Sequence, residues 1–512
     1  MNLLLEIYIH IDMDAYYAQA EQKLLKIPDD QPLCARQWNT LIAINYPARA
    51  AGIKRGMLSD EALELCPEVF LPHVETFKIS DGKMIFSTIQ DKYTQHNQNE
   101  EKISLRYYRE ESKLIFAIIK QFCGCIEKGG TDECYIQVSE NELEKIEHNQ
   151  FVGNLMCDIP SDYKLTEQDI QIMKASILCQ QIRDTIYKET QYKCSAGISF
   201  NKMLSKLASS TNKPNKQTII LECMLPECIA QFNIKKIRGF GGKIKHSFIN
   251  SEIQTIGQAQ QLSLSQLEVL FGDKAQYVYD KLRGYDNEEI KKESERKHKS
   301  ILSLKNIKKT FSRDTIIQSL ELIIHDLTMR VTDYFEDTNL VPSVVVLHYH
   351  NVEKGSHQKS EPVYLTLPID SFRLQIEDRV NSILNSIQDN ELFPLITIGL
   401  SCRYFKPMAQ GIQNPITSYF KKVIENQVQE KMSKFIEEVQ KELSPQDYYN
   451  CEICKQEILK TLKDEHIDFH IAENLDKEMN PKKRRYKSQT QNNNKPQQQQ
   501  VNPQIEQFMK KS

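Results

Sequence analysis

Short apolar runs alternate with amphipathic stretches along the first 235 residues of the chain. The apolar runs have the pattern of buried strands, and the amphipathic stretches carry apolar residues at helical spacing. The strands are Leu3 to Ile11, Leu41 to Asn45 and Cys134 to Val138, and the helices are Leu114 to Phe122 and Ile170 to Tyr187. This alternation predicts an α+β sheet domain. A polar run, Gln95 to Lys102, interrupts the pattern, and we expect it to be a loop insertion.

The pattern changes again further along the chain. Residues 233–295 have helical spacing only, and glycines stand at the predicted helix ends, at Gly239, Gly241, Gly242 and Gly272. Strands return at Ser343 to His350 and at Leu395 to Leu400, which predicts a separate α/β unit over residues 300–408. A charged connector, a small Cys/His module and a tail follow. The tail contains the Gln- and Asn-rich stretch Gln489 to Gln500, which has too little apolar surface to fold, so we expect disorder there.

Length and composition indicate a soluble protein of several domains. The chain has 512 residues, more than one hydrophobic core usually organises, and it is 40% apolar and 26% charged. Its opening segment, Met1 to Glu6, is too short and too soon charged for a signal peptide, and no apolar run is long enough to cross a bilayer. The 13 cysteines have no secretory context, so we expect reduced thiols and a cytosolic or nuclear compartment.

Basic residues are clustered although the net charge is only −3. Phosphate binding depends on the local field and not on the total charge. Any one cluster could equally be a solvated helix face. Three clusters in succession favour a polyanionic partner, and they comprise Lys202, Lys206, Lys213 and Lys216; Lys235, Lys236, Arg238, Lys243 and Lys245; and the lysines from Lys291 to Lys309.

Two acidic pairs stand at predicted strand ends. Asp12 and Asp14 end the first strand, and Asp132 with Glu133 precedes the strand that begins at Cys134. A carboxylate beside a buried strand is costly unless a cation neutralises it, and two Mg²⁺ ions held between such strand ends could clamp both oxygens of a phosphoryl transfer. Either pair alone is more often a set of exposed strand-end acids.

The segments around these acids form a series of motifs that resembles the Y family of DNA polymerases. The series covers roughly residues 6–408 in the family's order, and four ordered motifs are far more specific than any single one. The motifs are Ile9 to Tyr17; Asn45 to Met57; Cys194 to Lys202; and Leu204 to Ala208 followed by Asn212 to Asn215. The resemblance implies a DNA-directed DNA polymerase that copies damaged template bases, such as pyrimidine dimers, from primer-template DNA and deoxynucleoside triphosphates.

The resemblance also implies roles for individual residues. Asp12, Asp132 and Glu133 would bind two Mg²⁺ ions through their side chains, and Met13 through its carbonyl oxygen. Asp14 would not be a ligand, although strand periodicity places it on the face of Asp12. The remaining implied residues contact the nucleotide: Tyr46, Arg49 and Lys213 the triphosphate, Tyr17 the sugar as a steric gate, and Gln37 and Arg55 the template and incoming bases.

The glycine-rich segment from Ile237 to Lys243 has the pattern of a helix-hairpin-helix turn. Glycines there would let backbone N–H groups approach a DNA phosphate, while the alternative is a plain helix connector. We therefore predict DNA contacts at Gly239, Gly241, Gly242 and Lys243. Further template-phosphate candidates are Lys305, Lys308, Lys309 and Arg313.

The Cys/His module has the spacing of a zinc site. Cys451, Cys454, His466 and His470 provide two thiolates and two imidazoles, which suit one structural, tetrahedral Zn²⁺. Its helix is acidic, and phosphate would repel it. The module is similar to the ubiquitin-binding zinc finger found in one branch of the Y family, which implies ubiquitin contacts at Asp468 and Ala472.

Two shorter signals complete the C-terminal part. Gln413, Ile416, Tyr419 and Phe420 match the spacing of a sliding-clamp motif, in which a short turn inserts three apolar side chains into a pocket. Asn502 to Met509 is a degenerate second copy, for which the motif remains the weaker interpretation. Lys482 to Arg485 fits nuclear import, with a solvated charge run as the alternative.

Together these signals predict a monomeric, nuclear, α+β right-hand polymerase without membrane segments. We expect a palm (1–15 and 84–232), fingers (16–83), a helical thumb (233–299), an α/β little finger (300–408), a clamp motif and linker (409–446), a ββα-type ubiquitin-binding zinc finger (447–478) and a disordered tail (479–512). One alternative is a catalytically inactive scaffold that links ubiquitin to the clamp. A palm-type cyclase gives no reason for the hairpin, the little finger or the clamp motif.

Overall fold

A computed structural model describes residues 6–144, 146–147, 150–291, 299–363, 372–407, 448–450 and 457–459. These residues fall into two compact units, 1–409 and 410–512. No helix in these ranges is long and apolar enough to cross a membrane.

Strands and helices alternate through the first unit as the hydrophobic pattern predicts. Its strands are β1 (Ile7–Met13), β2 (Cys34–Gln37), β3 (Thr40–Ile44), β4 (Thr76–Ser80), β5 (Lys83–Phe86), β6 (Lys102–Ile103), β7 (Ile126–Lys128), β8 (Glu133–Val138), β9 (Asn154–Leu155), β10 (Cys194–Ser199), β11 (Gln217–Ile219), β12 (Ser300–Thr310), β13 (Leu340–Val341), β14 (Val344–Asn351), β15 (Gly355–Pro362), β16 (Leu395–Arg403) and β17 (Lys406–Pro407). The second unit contributes β18 (Tyr448–Asn450) and β19 (Glu457–Leu459), which pair antiparallel.

The helices of the first unit include two long ones, α6 and α12. They are α1 (Tyr16–Leu25), α2 (Tyr46–Ala50), α3 (Ser59–Leu65), α4 (Arg106–Phe122), α5 (Glu140–Leu143), α6 (Glu167–Thr190), α7 (Lys202–Ser209), α8 (Gly242–Asn250), α9 (Ile256–Gln260), α10 (Leu264–Phe271), α11 (Ala275–Leu282), α12 (Arg313–Thr338), α13 (Phe372–Asn385) and α14 (Asp389–Leu392). Residues 233–282 contain only helical elements, as the sequence predicts.

The two acidic pairs lie at strand ends of a six-stranded sheet with the strand order β7-β8-β1-β10-β11-β9. β1 is central and antiparallel to both β8 and β10, and its apolar residues lie in a core that continues into helices α4, α6 and α7. Helix α7 packs closely on β10 because Gly197 has no side chain: a Cβ there would lie 1.9 Å from the Ser205 carbonyl oxygen. This close packing of the sheet on α7 is therefore possible only with a glycine at position 197.

A four-stranded antiparallel sheet, β12-β16-β14-β15, forms a second core with α12 and α13. Along β12 buried and exposed residues alternate, so one face packs on the helices and the other face is open. A third, small core lies under the β2–β3 hairpin and helices α2 and α3.

The polar run Gln95 to Lys102 is a loop up to Glu101, as predicted, and it enters β6 at Lys102. β4 pairs with both β5 and β6, so the residues before and after this loop form a three-stranded sheet that was not predicted. The β4–β5 hairpin lies across residues 83 and 84, where we placed the boundary between fingers and palm. Sequence periodicity missed this sheet because its strands have two to five residues.

Candidate active site

Antiparallel pairing brings the two acidic pairs together. In the register of β1 with β8, Asp12 lies opposite Glu133, and the Met13 N–H donates a hydrogen bond to the Asp132 carbonyl oxygen at 2.8 Å. Asp12, Met13 and Asp132 line one cavity of about 640 Å³. Acids more than 100 residues apart in the chain therefore meet at one point, as the strand pattern predicted.

Neighbouring groups give Asp132 and Glu133 opposite electrostatic environments. Burial and the nearby Asp12 and Glu133 carboxylates raise the pKa of Asp132. The pKa of Glu133 is lowered to about 2, first by a hydrogen bond from His10 and also by Lys206. The Lys206 Nζ lies 2.6 Å from Glu133 Oε2, and His10 Nε2 lies 3.3 Å from the same oxygen. Glu133 is thus compensated by the protein, whereas Asp132 is not.

The donor set suits Mg²⁺ in part. Asp12, Asp132 and the Met13 carbonyl supply oxygen atoms only, which are the ligands that Mg²⁺ prefers, and the raised pKa of Asp132 indicates uncompensated negative charge beside the cavity. Glu133 is not among the residues that line the cavity. Among the described residues, no three His, Cys, Asp or Glu side chains are grouped as a metal site. The side chains would have to approach one another further to hold two ions.

Aromatic and cationic side chains line the same cavity. Tyr17 lies on α1, stacked on Tyr108 with ring centroids 4.1 Å apart. The Arg49 guanidinium lies 4.6 Å from the centre of the Tyr46 ring, and its Nε donates to the Ile44 carbonyl oxygen at 2.9 Å. The remaining predicted nucleotide-binding residues in the lining are Arg55 and Lys213. Gln37 lies on β2 and is not among the lining residues.

Asp14 has different surroundings from Asp12. Its carboxylate is almost fully buried and accepts hydrogen bonds from the Ser195 hydroxyl at 2.9 Å and the Asn215 backbone N–H at 2.7 Å. The Tyr46 hydroxyl donates to it at 3.3 Å, and the Lys213 Nζ, which also contacts Asp12, lies 3.4 Å away. Asp14 therefore ties two of the predicted triphosphate contacts to the central sheet.

The glycine-rich turn joins a short 3-10 helix to α8. A short 3-10 helix, Ile234–Lys236, precedes the turn, and α8 begins at Gly242. Gly239 and Gly242 have φ angles of 93° and 50°, in the left-handed region. A Cβ at Gly241 or Gly242 would meet nothing within 4 Å, so the backbone there is open to approach, and Lys243 is exposed beside it.

Several basic side chains that were predicted to contact phosphate bind other groups of the protein instead. Lys202 is fully buried and ion-pairs with Glu127 at 2.8 Å and Glu288 at 3.0 Å. Lys305 is 4% exposed and donates to the Gln98 and Glu101 carbonyl oxygens. Lys308 and Lys309 are exposed, and Arg313 pairs with Asp389 at 2.7 Å.

The predicted zinc, ubiquitin and clamp residues lie outside the described residues. They are Cys451, Cys454, His466 and His470; Asp468 and Ala472; and Gln413, Ile416, Tyr419 and Phe420. The tail and its basic run, Lys482 to Arg485, also lie outside them.

Two family profiles match parts of the chain. The profile of the impB/mucB/samB family matches residues 11–210, and the profile of the ubiquitin-binding zinc finger matches residues 447–478. Residues 11–210 are thus similar to the impB/mucB/samB family, the Y family of DNA polymerases, and residues 447–478 are similar to the ubiquitin-binding zinc finger.

Relatives within the family include DNA polymerase eta. The chain is 26% identical to DNA polymerase eta of Arabidopsis thaliana over 68% of this chain and 54% of that protein. It is 24% identical to DNA polymerase eta of Saccharomyces cerevisiae over 92% of this chain and 88% of that protein. N-acetyltransferase eso1 of Schizosaccharomyces pombe is 28% identical over 92% of this chain and 62% of its own length. The chain thus spans less than two thirds of two of these relatives, and the predicted resemblance to Y-family DNA polymerases is confirmed.

Proposed function

We propose that this chain is a DNA-directed DNA polymerase that performs translesion synthesis on damaged templates. The observation that carries the proposal is the cavity in which Asp12 and Asp132 face Tyr46, Arg49 and Lys213. Nucleotidyl transfer requires acids for metal ions and cations for a triphosphate in one cleft. In this proposal the six-stranded sheet is the palm, α8–α11 the thumb and the four-stranded unit the little finger.

Two Mg²⁺ ions held by Asp12, Asp132, Glu133 and the Met13 carbonyl would supply charge neutralisation and would activate the primer 3′-hydroxyl. The chain itself binds and orients the nucleotide. Arg49 can meet phosphate oxygens with its planar fork, and Tyr46 beside it donates a hydroxyl.

Lys213 has a choice of partners in this mechanism. Its ammonium contacts Asp12 and lies 3.4 Å from Asp14. Metal ions held by Asp12 would neutralise that carboxylate, so that Lys213 could bind a triphosphate in the same cavity.

Tyr17 is the proposed steric gate. The ring is fixed by its stack on Tyr108 and lines the cavity between the acids and the β2–β3 hairpin. A fixed aromatic wall excludes a ribose 2′-hydroxyl by contact, because its position cannot relax without loss of the stack.

DNA would bind over two exposed features. The glycine turn at Gly239 to Gly242 offers open backbone N–H groups next to Lys243, for a phosphate of the primer. The open face of the four-stranded sheet carries polar side chains that suit phosphate and groove contacts. They are Asn306, Thr397, His348, His350 and Arg403, in register across β12, β16 and β14.

The C-terminal part would recruit the enzyme. The match to a ubiquitin-binding zinc finger supports a Zn²⁺-dependent ubiquitin contact through Asp468 and Ala472, with the metal held by the four Cys and His residues. We propose that Gln413, Ile416, Tyr419 and Phe420 bind the sliding clamp, and that the chain acts as a nuclear monomer.

Primer extension tests the activity. Wild type should extend a primer with Mg²⁺, past a thymine dimer as well as on an undamaged template, and Asp132→Ala combined with Glu133→Ala should not. A matched control is Asp158→Ala with Asp162→Ala, a pair of acids elsewhere in the same unit. Equal extension by wild type and the active-site double variant would refute the polymerase mechanism and favour the scaffold.

A further inference from the structure

A second cavity of about 710 Å³ lies outside the cleft that holds the acids. It is formed by the tip of the β2–β3 hairpin, the polar segment 95–98, and β12 of the four-stranded sheet. Its lining comprises Arg36, Trp38 and Asn39 from the hairpin, Asp60 and His73, Gln95 to Gln98, and Lys308. None of these residues has a part in the proposed chemistry of the first cavity.

Trp38, the only tryptophan in the chain, is held in this cavity in an unusual conformation. It lies in the hairpin turn with a φ of 54°, which a bulky residue rarely adopts. Its backbone N–H donates to His73 Nε2 at 2.8 Å, while His73 Nδ1 bonds the Val74 carbonyl oxygen at 2.7 Å. Burial lowers the pKa of His73 to about 3, so this imidazole stays neutral and keeps accepting the Trp38 N–H.

Hydrogen bonds and a ring contact hold the polar segment 95–98 beside Trp38. The Arg36 guanidinium donates to the carbonyl oxygens of Leu71, Trp38 and Thr94 at 2.9, 3.2 and 3.0 Å, which joins the hairpin to the segment. His96 stacks on His73 with centroids 4.2 Å apart. The segment is tied to β12 in turn, because the Gln98 side chain donates to the Asn306 carbonyl oxygen at 3.2 Å. The walls of the cavity are therefore held in place by hydrogen bonds and ring stacking.

The lining has the chemistry of a nucleobase site. An indole provides a stacking surface, and the amides of Asn39, Gln95, Asn97 and Gln98 provide donors and acceptors for base edges. Lys308 is exposed at the rim and can pair with a phosphate. Aromatic, amide and ammonium groups together are typical of sites for unpaired nucleotides.

The same hairpin connects this cavity to the first one. Ile42, Ala43 and Ile44 of β3 line the acidic cleft, and the turn at Trp38 lies further along the hairpin. Ile42 is four residues from Trp38, and four residues span at most about 13 Å, while successive bases of one strand are about 3.4 Å apart in a duplex. Trp38 is therefore within about four nucleotides of the cleft.

We propose that this cavity, which we call the Trp38 pocket, binds an unpaired nucleobase of the template strand just ahead of the base being copied. The inference rests on the proposed polymerase function. A base stacked on Trp38 would keep that nucleotide of the template outside the acidic cleft. The polar segment 95–98 would then form one wall of the pocket.

The sole tryptophan is a built-in reporter of occupancy. Primer-templates are prepared with a 5′ overhang of one nucleotide, the templating base alone, or of four nucleotides, and fluorescence anisotropy of a primer label gives the dissociation constant. Trp38 emission should be quenched by the four-nucleotide overhang and not by the one-nucleotide overhang. Lengthening the overhang should also tighten binding by about fivefold or more, which is the range for stacking one base on one aromatic side chain.

Variants separate the pocket from general DNA binding. Trp38→Ala should lose the gain from the longer overhang and should bind the one-nucleotide overhang as wild type does, and Trp38→Phe should retain much of the gain. Tyr187→Ala, an exposed aromatic on α6, is the matched control and should behave as wild type.

The two proposals fail in different ways. If the protein binds DNA saturably and extends primers, but Trp38 emission does not depend on overhang length, the Trp38 pocket alone would be refuted. Absence of DNA binding with either overhang would overturn the polymerase proposal on which it rests. Since the emission measurement uses the unaltered chain, a folding defect in Trp38→Ala cannot obscure the result.

Discussion

Adjacent acids in the cleft should affect stability in opposite directions when each is neutralised. Glu133 is paired with Lys206 and lies 3.3 Å from His10 Nε2, so Glu133→Gln removes a favourable charge. Asp132 is buried near two other carboxylates, so Asp132→Asn removes an unfavourable one. We expect Glu133→Gln to destabilise the metal-free protein and Asp132→Asn to stabilise it.

The structure sets the size of the Glu133 effect. A pKa that falls from its ordinary value of 4.5 to about 2 corresponds to at most ~3 kcal/mol. The Glu133 side chain is 22% exposed and that of Lys206 is 35% exposed, so solvent screening reduces the expected loss to about 1–2 kcal/mol. For Asp132 we expect a gain of the opposite sign.

The pH dependence follows from the direction of each pKa shift. Glu133 contributes its stability above pH 4.5, and this contribution is lost as the pH falls from 4.5 towards 2. The raised pKa of Asp132 means that its penalty is present at neutral pH and disappears as the pH falls below its ordinary value of 3.8. Both variants should therefore differ most from wild type near pH 7.

Chemical denaturation in EDTA, followed by circular dichroism at pH 7 and pH 4, measures both effects. Added Mg²⁺ should stabilise wild type more than Asp132→Asn, because the ion binds the folded state through this carboxylate. A loss of stability in Asp132→Asn as large as that in Glu133→Gln would contradict the electrostatic assignment of the pair.

Four further changes have defined outcomes. Gly197→Ala should lower the free energy of unfolding by more than about 3 kcal/mol, because its Cβ would lie 1.9 Å from the Ser205 carbonyl oxygen; wild-type stability in urea would contradict this packing. Tyr17→Ala should raise ribonucleotide incorporation in single-nucleotide extension, and an unchanged sugar preference would exclude the steric gate. Asp468→Ala should reduce ubiquitin affinity in calorimetry without a change in primer extension, and undiminished affinity would remove that assignment. Chelation of Zn²⁺ should have the same effect, and retained ubiquitin binding in metal-free protein would argue against the zinc ligands.

The sequence predicted the parts of the site that follow from strand periodicity and motif order. β1 and β8 have clear apolar patterns, and their pairing was enough to bring Asp12 close to Asp132. The family motifs also separated Asp14 from the ligands, which periodicity alone could not do. The predicted nucleotide contacts Tyr17, Tyr46, Arg49 and Lys213 line the same cavity as these acids.

Burial of charged groups was not predictable in the same way. Lys202 and Lys305 appear in basic clusters, yet their partners are Glu127, more than 70 residues away, and backbone oxygens of Gln98 and Glu101. Charge in a sequence gives no sign of such distant partners. The small sheet of β4, β5 and β6 was missed because strands this short have too few residues to show a period.

The ion pair between Lys102 and Asp326 limits how freely parts of this protein could be exchanged with those of its relatives. The Lys102 Nζ lies 2.9 Å from Asp326 Oδ2, both side chains are less than 10% exposed, and the Ser303 hydroxyl donates to the same oxygen at 2.6 Å. A chimera that takes residues 300–407 from another protein without an acid at position 326 would leave an ammonium ion in a dry pocket, at a cost of about 3–5 kcal/mol. A stable chimera will therefore need both partners of this ion pair, the lysine at position 102 and the acid at position 326.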